Sequence, residues 1–117
     1  MKRIYLDYVL DIIHEIDIIK KATSDIEREA FDDDEIIQRA VVACLINIGE
    51  ATKLIPEEVK ARFPDIPWKN LSGMRDKLVH HYFGIDLDIV WTVAATEAPK
   101  LQEQVRKILM TVESDTD

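Results

Sequence analysis

The 117-residue chain carries 23 acidic against 15 basic side chains, a formal net charge of −8, and 47% of it is hydrophobic. That length and apolar share suit one domain over residues 1–117 with a single core, and the acidic balance excludes a general polyanion-binding surface, which needs clustered lysine and arginine. With only 3 glycines and 4 prolines among runs of Ile, Leu, Val, Ala, Glu, Lys and Asp, the composition predicts an all-α protein.

The opening "MKRIYLDYVLDIIHEIDIIKK" has a basic start followed by apolar residues, but Asp7, Asp11, Glu15 and Asp17 interrupt any run long enough for a signal peptide or membrane span. Its apolar residues Tyr5, Val9, Ile12, Ile16 and Ile19 recur at three-and-four spacing, which predicts a long amphipathic helix over about residues 2–21. Ser24 followed by Glu27 has the spacing of a capping box and predicts the start of a short second helix there. "FDDDE" supplies an acidic start for a further helix, from about Asp34 to Leu54, whose seam is Ile37, Val41, Cys44, Ile48, Ala51 and Ile55. Cys44 is the only cysteine, so no intrachain disulfide can form, nothing demands an oxidising compartment, and a cytoplasmic location is expected. Within the seam it reads as a small buried hydrophobe. Gly49, inside the same helix, costs about 1 kcal/mol relative to alanine and implies a close helix crossing.

Pro56 can open a short helix through "PEEVKARF", and Pro64 and Pro67 enforce an extended connection. "WKNLSGMRDKLVHHY" is helical in pattern, Gly84 breaks it, and the rest forms a last long helix with Pro99 at a kink or a fresh start. Residues 112–117 read as a polar, frayed tail. The expected architecture is an up-and-down four-helix bundle with one or two short extra helices.

Residues 68–82 carry Lys69, Arg75 and Lys77 against Asp76, a basic island on an acidic body. Asp76 and His80 are four apart, so the carboxylate can bond one imidazole nitrogen and raise its basicity. Arg75 and His80 lie about 140° apart around an ideal helix, so they meet only if the helix ends near His80 or a second copy supplies one of them. The residue types suit metal-free RNA cleavage: an imidazole to take the 2′-hydroxyl proton, a guanidinium to brace the phosphate, a tyrosine to donate to an oxygen. A metal site fits poorly, because adjacent His80 and His81 point about 100° apart, and Ser72 lacks the strand and glycine elbow of a serine hydrolase. From the residues alone a plainer reading stays open. In it Arg75 and Lys77 form a solvated face, His80 and His81 favour a helix C-terminus, and Tyr82 anchors the turn; His14 on the first helix belongs to that plainer kind.

The run "RDKLVHHY", an arginine, four residues, a histidine, one residue and a tyrosine, matches the signature of the HEPN superfamily. With "INIGEA", "FPDIPW" and "HHYFGID" around it, the chain resembles the HepT-type toxins of toxin–antitoxin pairs along nearly its whole length. The resemblance implies a homodimeric helical bundle whose two motifs face a shared cleft. It also implies metal-independent endoribonuclease activity that uses no cofactor, with Arg75 and His80 as the catalytic pair and Asp76, Lys77 and His81 in support. A cognate minimal nucleotidyltransferase antitoxin (MntA-like) would attach AMP to Tyr82 and silence the enzyme. A second reading is a noncatalytic dimeric module that serves as partner to that nucleotidyltransferase.

Overall fold

The computed structural model describes residues 4–80 and 84–114, and these are helical apart from short connections. The elements are α1 (Ile4–Thr23), α2 (Arg28–Asp33), α3 (Glu35–Leu54), α4 (Glu57–Arg62), α5 (Trp68–His80), α6 (Leu87–Thr92), a π-helical turn (Val93–Glu97) and α7 (Ala98–Ser114). Four long rods, α1, α3, α5 and the continuous α6–α7, form the bundle, with α2 and α4 as the short extras. None of the described helices is long and apolar enough to cross a membrane.

The predicted stripes are the buried ones. Val9, Ile12, Ile16 and Ile19 of α1 are fully buried, and Val41, Cys44, Ile48 and Ala51 of α3 face the same core. Both rows follow the 3.6-residue period, so each helix presents one apolar face along its length. α3 packs against α1 on one side and α5 on the other, while α1 also packs against α7. Polar side chains inside this core keep their bonds: the Thr52 hydroxyl donates to the Ile48 carbonyl at 2.8 Å, and buried Gln102 of α7 donates to Asp17 at 2.6 Å and accepts from Lys20 at 3.0 Å.

Helix ends follow local chemistry, with one correction. Asp34 caps α3 by accepting from the Ile37 amide at 3.1 Å, as the acidic run predicts. Ser24 does not cap α2: its amide donates to the Lys20 carbonyl at 2.8 Å, which completes the last turn of α1, and α2 starts only at Arg28. The α1 ladder reaches Ser24 first, so the residue is no longer free to open a helix. Phe31 of α2 is fully buried and meets Trp91 of α6, ring centroids 5.2 Å apart. The fresh start or kink expected at Pro99 takes the form of a π-helical turn just before it. The Ala98 amide reaches back five residues to the Val93 carbonyl, and the widened ladder accommodates a residue without an N–H. At the C-terminus α7 runs on through Ser114, with Val112 buried in its last turns, and residues 115–117 of the expected tail lie outside the described residues.

Cys44 is 5% exposed, and burial, with the nearby Glu15 carboxylate, pushes its thiol up to about 11. A thiol so placed is protonated at pH 8 and carries no nucleophile. In the native protein Cys44 should stay unlabelled by iodoacetamide at pH 8 and react only once urea unfolds the chain; rapid labelling of folded protein would show the seam to be open.

Candidate active site

The motif arginine, its neighbouring carboxylate and the backbone of the motif histidine all ride on α5. Pro67 sets the helix start, with the Leu71 amide donating to its carbonyl at 3.0 Å. Trp68 anchors that first turn: it is 9% exposed, and its indole N–H donates to the Phe63 carbonyl at 3.1 Å and the Lys60 carbonyl at 3.2 Å. The proline-rich connection is therefore pinned to α4, and the direction of α5 is fixed from its first residue.

Down the helix the inward row is Trp68, Leu71, Arg75 and Leu78, at spacings of three, four and three. Arg75 occupies a position in the apolar seam. Only a quarter of its side chain is exposed, and its Nε is buried without a hydrogen-bond partner among the described residues. What admits it is Gly49 of α3. A Cβ built there would collide with Arg75 Cβ and lie 2.9 Å from the Leu71 carbonyl oxygen, so only a glycine allows the arginine stem to cross α3 at this height. The close crossing inferred for Gly49 is this contact.

At its far end the guanidinium is shared by two carboxylates. One terminal nitrogen pairs with Glu50 of α3, and the other donates to Asp76 Oδ1 at 3.1 Å. Lys53, one turn beyond Glu50, donates to the same Asp76 oxygen at 2.5 Å. The bond from Lys53, then that from Arg75, holds the Asp76 carboxyl below the usual carboxylate range, while the bond to Asp76 and the pairing with Glu50 raise Arg75 further. Because the Asp76 value is depressed on folding, its pairing supports the fold above the ordinary carboxylate range and is lost as pH falls through the lowered value. Two positive and two negative groups make the cluster formally neutral, so the basic island read from the sequence is internally compensated at Arg75.

The remaining candidates fall in different places. Lys77 is exposed on the α6 side of the helix, where with Met74, Leu78, Ile85 and Ile89 it lines a cleft of about 290 Å3, away from the carboxylate cluster. His80 ends α5, but its side chain, like His81 and Tyr82, lies outside the described residues, and with it the expected Asp76–His80 bond. His14 is exposed and rims a cleft of about 350 Å3 between α1 and α3 together with Tyr8, Asp11, Glu15, Asn47 and Glu50. Among the described residues, no group of three His, Cys, Asp or Glu side chains stands close enough to hold a metal ion. Glu50 and Lys53 were not singled out by reading the sequence. The available signal was their position, one and four residues after a glycine buried in a helix seam.

Comparison with known proteins places the chain in a family. Residues 12–108 match the family described as "Ribonuclease HepT-like". A protein of Methanocaldococcus jannaschii named "Putative RNase" is 42% identical over 96% of this chain and 93% of its own. The "Probable ribonuclease HepT" of Thermococcus cleftensis is 41% identical over 92% of this chain and 98% of its own. A "Putative RNase" of Caldanaerobacter subterraneus is 39% identical over 87% of this chain and 91% of its own. No solved structure matches the chain significantly. The chain belongs to the HepT-like family, the group to which its arginine–histidine–tyrosine run pointed.

Proposed function

We propose that the protein is a metal-independent endoribonuclease, the toxin of a toxin–antitoxin pair, in which Arg75 clamps the scissile phosphate and His80 moves the proton. The observation that carries this reading is the setting of Arg75. A guanidinium held in a helix seam by two carboxylates, five residues before His80 on the same helix, is preorganised to meet a phosphate. In the reaction His80 takes the proton of a ribose 2′-hydroxyl, the 2′-oxygen attacks phosphorus, and the bond from phosphorus to the 5′-oxygen breaks. The leaving oxygen takes a proton from an imidazolium. The products are a 2′,3′-cyclic phosphate and a free 5′-hydroxyl, and no water is consumed in this step. Arg75 offsets the charge that builds on the non-bridging oxygens.

The angle of about 140° between positions 75 and 80 of an ideal helix keeps both groups of one copy from a single face. With α5 ending at His80 that angle alone does not require a second copy; the homodimer that the family resemblance implies, with two motifs across one seam, is the form we propose as active. RNA incubated with purified protein in excess EDTA should yield fragments ending in 2′,3′-cyclic phosphate. Fragments ending in a 3′-hydroxyl, or cleavage that stops with EDTA, would refute the chemistry.

Tyr82, two residues past His80, is the proposed acceptor of AMP from a minimal nucleotidyltransferase antitoxin. A bulky anionic nucleotide there would occupy the space that RNA phosphate enters and repel it. Tyr82→Phe should abolish AMP attachment, read by intact-protein mass, while RNA cleavage persists; a parental rate of labelling on the variant would remove Tyr82 from this role.

A further inference from the structure

The pair between Glu50 and Arg75 has a use beyond neutralising a half-buried charge. A guanidinium has five N–H groups: one on Nε and two on each terminal nitrogen. In Arg75 the Nε is buried and has no partner among the described residues, one terminal nitrogen meets Glu50 and the other meets Asp76. The two carboxylates come from different helices, α3 and α5, so they grip the group from two sides and restrain rotation of its plane. Residue 49 lets the stem pass and residue 50 takes the head, so one turn of α3 both admits and fixes the arginine. Lys53 in turn pins Asp76, which keeps the second carboxylate from swinging away.

We propose that Glu50 is a positioning residue for Arg75: with Asp76 it holds one N–H on each terminal nitrogen and so leaves the other N–H of each nitrogen for two oxygens of an RNA phosphate. The proposal rests on the reading of Arg75 as the phosphate clamp. It adds that the cluster of Lys53, Glu50, Arg75 and Asp76 is neutral before substrate arrives, so a singly charged phosphodiester link is held loosely. The same fixed N–H groups gain strength as a second negative charge develops on phosphorus, and binding is greatest where it lowers the barrier.

The test compares the parent with Glu50→Gln, Glu50→Asp, Arg75→Ala and the Glu50→Gln/Arg75→Ala double variant on a short oligoribonucleotide. Loss of the carboxylate charge should lower kcat by roughly tenfold to a hundredfold, the size of effect that follows from misplacing a reacting group, while KM stays level or falls. Glu50→Asp should recover part of the loss. In the double variant the Glu50 change should cost nothing beyond Arg75→Ala, because a positioning residue has no effect once the group it positions is gone. A kcat for Glu50→Gln within about threefold of the parent, or losses that multiply in the double variant, would overturn the proposal. A readout independent of turnover is the pair of terminal-nitrogen NMR signals of Arg75. They should be separately resolved in the parent and averaged in Glu50→Gln; averaged signals in the parent would also overturn it. If Arg75→Ala cleaves RNA like the parent, the clamp reading itself fails, and the NMR arm still decides whether Glu50 holds the guanidinium.

Discussion

Replacing His80 by alanine is expected to lower RNA cleavage by about two to four orders of magnitude, the span that a positioned general acid–base contributes. Arg75→Ala is expected to cost about two to three orders, as does removal of a donor that stabilises developing charge. The two losses have different signatures. Without His80 the phosphate is still braced, so affinity for an oligonucleotide with a blocked 2′-oxygen should be retained; without Arg75 both affinity and rate should fall. Arg75→Lys should recover little, because an ammonium cannot span two carboxylates and a phosphate with a planar fork. Both variants should keep the fold and the oligomeric state of the parent by circular dichroism and light scattering. A His80→Ala protein that cleaves RNA at the parental rate would end the assignment of the acid–base role.

Gly49→Ala is expected to destabilise the fold by about 1–3 kcal/mol in urea denaturation, the range for forcing an extra carbon into a packed interior. Two effects oppose each other here. Alanine is the better helix former by about 1 kcal/mol, which would stabilise an unencumbered α3. Against that, the new Cβ meets the Arg75 stem and the Leu71 carbonyl oxygen at 2.9 Å, and a backbone oxygen yields only if α5 moves as a whole. The collision outweighs the propensity gain. Since α5 leans on α3 through this crossing, the same change should displace the guanidinium from Glu50 and Asp76 and reduce cleavage by more than stability alone accounts for. A Gly49→Ala variant as stable as the parent would show that the two helices do not approach this closely.

Periodicity was the most legible part of the fold. The stripes of α1 and α3 are local properties of the chain: where apolar residues recur every three or four positions, a helix is the backbone conformation that gathers them on one side. Asp34, Pro56 and Pro67 act within one turn of themselves and could be placed from spacing as well. Ser24 could not, since whether it ends one helix or starts another depends on how far the α1 ladder continues, and packing against the core decides that. The π-helical turn before Pro99 is a compromise between a missing N–H and a helix that remains packed on both sides, visible in the sequence only as a proline.

The candidate site divides in the same way. Arg75, Asp76, His80 and Tyr82 stand in one short run whose residue types suit the proposed chemistry, and with "INIGEA", "FPDIPW" and "HHYFGID" around it that run pointed to the family. Glu50 and Lys53 lie more than twenty positions upstream, and no local rule ties them to Arg75. The amino-acid sequence by itself determined the apolar stripes of α1 and α3 and set the candidate arginine, histidine and tyrosine in one short run, because side-chain type and helical period are properties of a residue and its near neighbours. Only the tertiary structure decided which carboxylates grip the guanidinium, because that pairing depends on how closely α3 and α5 cross at a single glycine.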